Sequence, residues 1–113
     1  TENMFSTREF EEMKKTSYII NCARGGIINE IDLYDALKNN KISGAGLDVF
    51  DIEPAPLNNK LLELKNVILS PHIAGVTVEA TIRMSTESVQ NVFDIFDNKI
   101  NQNVIVNKEI MKG

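Results

Sequence analysis

Four side chains in this sequence have the types to act together on a small acid: Arg24, Asp48, Glu53 and His72. His72 is the single histidine of the chain, and an imidazole beside a carboxylate is a general acid/base unit. Arg24 precedes Gly25-Gly26. Two glycines let the backbone turn sharply and leave the planar guanidinium free to grip a carboxylate or keto acid. Glu53 stands before Pro54 and His72 follows Pro71; proline disfavours the α region for its predecessor and ends a strand ladder, so both side chains should sit on non-helical backbone. The set suits proton transfer to or from an oxygen of a small carboxylic acid, with no nucleophile and no metal required. Plainer explanations stand beside each residue. The histidine could be a surface or structural one, Arg24 could solvate a turn, Glu53 could be an ordinary loop carboxylate, and Asp48 could cap a turn or helix. Cys22, the sole cysteine, can form no internal disulfide and reads as a small buried hydrophobe.

These residues need a scaffold that gathers them. Ser6 with Glu9 spells a capping box, flanked by Phe5 and Phe10 at staple positions, so a helix should run from Thr7 to about Lys14. Tyr18 to Cys22 is short and nearly continuous in apolar character, as in a strand covered on both faces of a parallel sheet. Asn29 is an N-cap for a helix reaching Lys38, with Ile31, Leu33, Tyr34 and Leu37 on its apolar face. Ala45 to Val49 reads as a second buried strand, followed by a proline-containing loop from Phe50 to Asn58 and a short helical turn near Lys60 to Leu64. Val67 to Leu69 is a third strand. From Thr77 to about Asn98, Val78, Ile82, Val89, Val92, Phe93 and Phe96 recur at helical spacing. Val104 to Val106 is left as an edge strand or a docking segment.

Strands alternating with helices predict an α/β fold: a Rossmann-like, doubly wound parallel sheet, here partial with about three strands, and a long C-terminal helix. In such sheets ligands bind beyond the carboxyl ends of the strands. The first strand delivers Arg24 to that edge, the second Asp48 and Glu53, and the third His72. Gly44-Ala45-Gly46 carries half of a dinucleotide fingerprint, but it precedes its strand core and lacks the third glycine, so it is no phosphate loop.

Composition fits this picture. The chain has 113 residues, 42% of them hydrophobic and 25% charged, with a net charge of −4, enough for one globular domain and too apolar for disorder. Mild acidity without a basic run argues against nucleic acid as a partner. No apolar stretch is long enough for a membrane span, and the first ten residues lack a signal-peptide pattern, so a cytoplasmic location is expected.

Three ordered blocks carry a family resemblance: Asn21-Cys22-Ala23-Arg24-Gly25-Gly26-Ile27-Ile28-Asn29-Glu30, then Gly44-Ala45-Gly46-Leu47-Asp48-Val49-Phe50 with Glu53-Pro54, then Asn66-Val67-Ile68-Leu69-Ser70-Pro71-His72-Ile73-Ala74-Gly75. They resemble the NAD-dependent D-isomer-specific 2-hydroxyacid dehydrogenases, most closely the phosphoglycerate dehydrogenase-like branch, over about Phe10 to Ser88. The resemblance implies an oxidoreductase moving hydride between nicotinamide and the C2 of a small D-2-hydroxy or 2-keto acid. It implies Arg24 as the binder of the substrate carboxylate and keto oxygen, His72 as proton donor or acceptor, and Glu53 as the carboxylate that tunes the histidine. Cys22, Ala23, Arg24, Asp48, His72, Ile73, Ala74 and Gly75 would line the nicotinamide half of NAD, with NADP left open. It also implies a homodimer for the full-length protein.

The sequence departs from the family at Thr16-Ser17, where Gly-Ala is frequent, at Asn29, usually Asp, and at Lys65, commonly Pro. None of these touches the proposed catalytic groups. Formate dehydrogenases look similar but lack the Glu–His pair. Nothing in these residues matches the family's Gly-rich phosphate loop, ribose-reading acid or substrate domain. Residues 1–76 are therefore expected to be the C-terminal portion of a nucleotide-binding domain, and residues 77–113 a crossing helix and tail that would pack on a substrate domain outside this chain. Alone the chain should be inactive. Two other readings stay open: a non-catalytic NAD-sensing or corepressor-like module of the same fold, and a structural fragment that associates with another chain.

Overall fold

The computed structural model describes residues 1–109, in two compact units, the first being Thr1–Ala74 and the second beginning at Gly75. The first unit contains α1 (Thr7–Glu12), β1 (Tyr18–Asn21), α2 (Glu30–Lys38), β2 (Gly44–Leu47), a 3-10 turn (Lys60–Glu63) and β3 (Val67–Leu69). The three strands form one parallel sheet in the order β1-β2-β3. The fold is Rossmann-like α/β.

Local chemistry explains the helix starts. The Glu9 carboxylate accepts from both the backbone N–H (3.0 Å) and the hydroxyl (2.9 Å) of Ser6, and Asp32 accepts from the Thr7 N–H at 2.9 Å. These take up orphan groups at the first turn of α1. Asn29 caps α2 by accepting from Ile31 and Asp32, and Asn59 caps the 3-10 turn through Leu61. Some ends fall short of the sequence expectation. α1 stops at Glu12, because Met13 is already extended and turns its side chain toward the core. β2 stops at Leu47, where the ladder partners Asn21 and Leu69 also end.

The core lies on one side of the sheet. Phe10, Leu33, Leu37, Ile42 and Leu61 are fully buried and pack with Ile19, Ala45 and Leu47. The alternate strand positions Tyr18, Ile20 and Ile68 are 71%, 73% and 79% exposed. The expectation of strands covered on both faces is therefore corrected: within residues 1–74 only one face is covered. The reason is topological. When parallel strands are added in one direction by right-handed crossovers, every connecting helix falls on the same face. The second face needs elements added in the opposite direction, and none lies among these residues.

The second unit holds α3 (Val78–Phe96), capped by Thr77, which accepts from the Ala80 N–H at 3.1 Å. Its apolar positions, including Ile82, Val89, Phe93 and Phe96, are exposed. A 3-10 turn, Gln102–Val104, replaces the edge strand considered for Val104 to Val106. Asn101 starts the turn by accepting from the Asn103 N–H at 3.0 Å, and this local bond overrides the β preference of the valines. No helix among the described residues is long and apolar enough to cross a membrane.

Candidate active site

The carboxyl ends of all three strands meet at one edge, and the loops leaving them are fixed to each other by backbone hydrogen bonds. The Asp48 N–H donates to the Asn21 carbonyl at 2.9 Å, Ser70 N–H to the Leu47 carbonyl at 2.9 Å, and His72 N–H to the Asp48 carbonyl at 2.7 Å. Asn21 and Asp48 are buried, with 7% and 3% of their surface exposed. Each turns its side chain on a loop. Asn21 Nδ2 donates to the Arg24 carbonyl at 2.9 Å, while its Oδ1 accepts from the Ala23 N–H at 3.0 Å. Asp48 Oδ1 accepts from the Ser70 hydroxyl and from the Ile73 N–H (2.8 Å), and Oδ2 from the Ala74 N–H (2.9 Å). These donors, Ser70 first, hold the Asp48 carboxyl below its ordinary range against the opposing effect of burial.

His72 takes a left-handed backbone conformation, φ 57°, which costs a non-glycine residue roughly 1–2 kcal/mol. The four Asp48 bonds to residues 70–74 on either side of it are what over-determine that conformation. His72 Nδ1 lies 2.8 Å from Glu53 Oε2. An ionised carboxylate only accepts, so Nδ1 carries the proton in this contact. Glu53 is itself aimed by the Phe50 N–H, which donates to Oε1 at 3.1 Å. The His72 hydrogen bond chiefly, then the Phe50 bond, lowers the Glu53 carboxyl from its usual value, with smaller help from the charges of His72 and Arg24. A cavity of about 570 Å³ adjoins the pair, with apolar walls that include Phe50, Leu62, Leu69 and Pro71.

Arg24 stands at the same edge, exposed, with Nη1 donating to the Ala23 carbonyl at 2.6 Å. The structure thus joins His72 and Glu53 directly, while Arg24 makes no hydrogen bond to either and its charge adds a small effect on the Glu53 carboxyl. The Arg24 loop is locked from the far side. A Cβ on Gly25 would lie 2.0 Å from the Phe50 carbonyl oxygen, and the Gly26 N–H donates to Asp51 Oδ1 at 2.6 Å. Asp51 N–H in turn donates to Glu30 Oε1 at 2.7 Å.

Of the residues expected to face the cofactor, Cys22, Ala23, Arg24, His72, Ile73 and Ala74 are exposed at this edge. Cys22 lies just past the end of β1 and is a free, exposed thiol, so its reading as a buried hydrophobe is corrected. The strand ends one residue earlier than expected. Asp48 is buried and bonded to the loop that carries His72. Gly75 opens the second unit. Sequence reasoning missed Asn21 and Asp51 as builders of the site. The available signal for Asn21 was a polar residue ending an otherwise apolar strand; Asp51 had none, because its tie to Gly26 spans 25 residues.

Comparison with known proteins bears on the family and the fold. A family described as D-isomer specific 2-hydroxyacid dehydrogenase, NAD binding domain, matches residues 1–74. A glyoxylate reductase from Thermofilum pendens is 40% identical over 112 residues, 99% of this chain and 33% of the relative. A probable 2-ketogluconate reductase from Dictyostelium discoideum is 41% identical over the same shares. The NAD-complexed D-isomer specific 2-hydroxyacid dehydrogenase from Lactobacillus delbrueckii ssp. bulgaricus superposes with a TM-score of 0.82 at 31% identity, covering 95% of this chain and 36% of that one. The chain spans about a third of the length of the curated relatives it matches.

Proposed function

The chain belongs to the D-isomer specific 2-hydroxyacid dehydrogenases through their NAD-binding domain, and on that premise we propose that it forms the nicotinamide side of an oxidoreductase interconverting a small D-2-hydroxy acid and its 2-keto acid. The single observation that carries this reading is the 2.8 Å contact between His72 Nδ1 and Glu53 Oε2 at the carboxyl edge of the sheet. An imidazole with one nitrogen fixed on a carboxylate can give and take a proton at the other. Reduction of a keto group needs such a proton at its oxygen.

The exposed stretches at residues 22–24 and 72–74 fit the nicotinamide end of NAD, since they flank the pair on the edge where dinucleotides bind in this fold. When bound, the cofactor supplies or takes the hydride. His72 delivers the proton to the C2 oxygen on reduction and removes it on oxidation. Glu53 keeps the ring in the tautomer and orientation that this requires. Arg24 holds the substrate carboxylate and polarises the keto oxygen with its planar fork. Asp48 acts by holding residues 70–74. The pyrophosphate and adenine side, and the choice of NAD over NADP, rest on parts of the whole protein outside these 113 residues. The names of the two curated relatives share a 2-keto carboxylate, which makes glyoxylate the first substrate to test.

The test is NADH-dependent reduction of a panel of 2-keto acids by the whole protein and by two variants. Wild type should turn over, His72→Ala should show no measurable rate, and Glu53→Gln should lose about 10²- to 10⁴-fold in kcat. An unchanged kcat in His72→Ala removes the histidine from the mechanism. NADH binding by wild type with no turnover of any keto acid favours the sensing-module reading instead.

A further inference from the structure

We infer that Asn21 is a positioning residue for Arg24, setting the direction in which the guanidinium leaves the sheet; this rests on the substrate-binding role proposed for Arg24 above. Position 21 faces the core side of β1, two residues after buried Ile19 and in register with buried Leu47. At such a site an apolar side chain would serve packing better, because burying an amide gains nothing unless its hydrogen bonds do work. Both Asn21 bonds run to the backbone of Ala23 and Arg24, residues exposed to solvent. The carboxamide thus spends both of its bonds on the main chain of one loop.

What it does supply is a fixed path. One planar group ties the N–H of residue 23 and the C=O of residue 24 to the sheet interior, on either side of the Cα that carries the guanidinium. From the opposite side the loop is wedged by Gly25 against Phe50 and tied by Gly26 to Asp51. Asn21 is also joined to the second arm of the site, since its carbonyl accepts from the Asp48 N–H at 2.9 Å. Asn21 orders the arm that binds the anion, and Asp48 orders the arm that moves the proton. The two buried polar residues sit side by side at the sheet edge, one for each task.

The test uses Asn21→Leu, which keeps the volume and suits the core, and Asn21→Ser, whose hydroxyl can still accept from the N–H two residues on. In the whole protein, Asn21→Leu should raise the KM for the 2-keto acid about tenfold or more, with the pH profile of kcat unmoved and Asn21→Ser intermediate. In an Arg24→Gln background, Asn21→Leu should add nothing further to KM, because residues acting through one another are non-additive. An unchanged KM, or full additivity with Arg24→Gln, overturns the inference. Amide hydrogen exchange of residues 23–26 gives an answer that needs no turnover. Faster exchange in Asn21→Leu by about tenfold or more supports the inference, and unchanged exchange overturns it. If wild type reduces no keto acid, the function proposed above falls while the exchange measurement still decides on Asn21.

Discussion

Asp48 holds His72 by the backbone on both sides: its carbonyl accepts from the His72 N–H at 2.7 Å, and its carboxylate accepts from Ile73 and Ala74 immediately after. The imidazole is thus presented by a carboxylate that does not touch it. Replacing that carboxylate should misplace the ring without removing it. Asp48→Asn keeps the shape but loses one acceptor and the charge, and in the whole protein kcat is expected to fall about 10²-fold with the cofactor KM raised as well, because the loosened residues 72–74 flank the nicotinamide end in the function proposed above. Steady-state kinetics with NADH and a 2-keto acid checks this; a kcat within twofold of wild type rejects it.

Acid should weaken the fold through the Asp48 carboxyl and a second one. Asp48 and Glu53 both have values lowered in the folded state, so each contributes stability that is present above the ordinary carboxylate range, about pH 4, and is lost as pH falls through the lowered folded values. Thermal unfolding followed from neutral pH downward should show the melting temperature dropping steeply at and below that range. In Asp48→Asn the midpoint should start lower at neutral pH and fall less steeply. Parallel curves for the two proteins would remove Asp48 from the effect.

Gly25 is required for space. Alanine there would set a Cβ 2.0 Å from the Phe50 carbonyl oxygen and 2.5 Å from its carbon, both backbone atoms. The Arg24 loop or residues 50–51 must shift, and since Phe50 also orients Glu53, both arms of the site move. Gly25→Ala is expected to lower kcat/KM for the keto acid by about 10²-fold or more. An activity equal to wild type would show that the two loops separate freely.

The 113-residue chain by itself is expected to reduce neither glyoxylate, pyruvate nor hydroxypyruvate with NADH, because the phosphate-binding side of the cofactor site is not among its residues. A spectrophotometric assay at high protein concentration decides this. Any rate abolished by His72→Ala would mean that the nicotinamide edge alone recruits the cofactor.

The elements were legible because their signals are local. A capping box at Ser6, an Asn cap at residue 29 and helical spacing from Thr77 each act within one or two turns, and each appears where the sequence puts it. The strand-end rule also brought Arg24, Asp48, Glu53 and His72 to one edge without coordinates. What escaped were relations between distant segments. Pairing of Phe5 with Ile28, the wedge of Gly25 on Phe50, and the tie of Gly26 to Asp51 depend on which loops meet, and periodicity carries no trace of that. The left-handed φ of His72 escaped for another reason: Pro71 disfavours only the residue before it, and nothing local marks the conformation that Asp48 imposes from 24 residues away. The one-faced cover of the sheet was masked by the apolar run of β1, whose Tyr18 and Ile20 look like core residues but lie on the bare face.

Apart from the Ser70 hydroxyl, Asp48 and Asn21 grip their loops through main-chain groups, so the other side chains at the gripped positions are not what holds the shape. Ala23, Ile73 and Ala74 give up only an N–H to the grip. Most replacements there should therefore be accommodated, and proline, which has no N–H to offer, is the one ruled out on principle. For anyone re-engineering this edge to favour another ligand, those three positions are the free variables, and a saturation library at each should fold with nearly every amino acid except that one while cofactor binding varies from member to member.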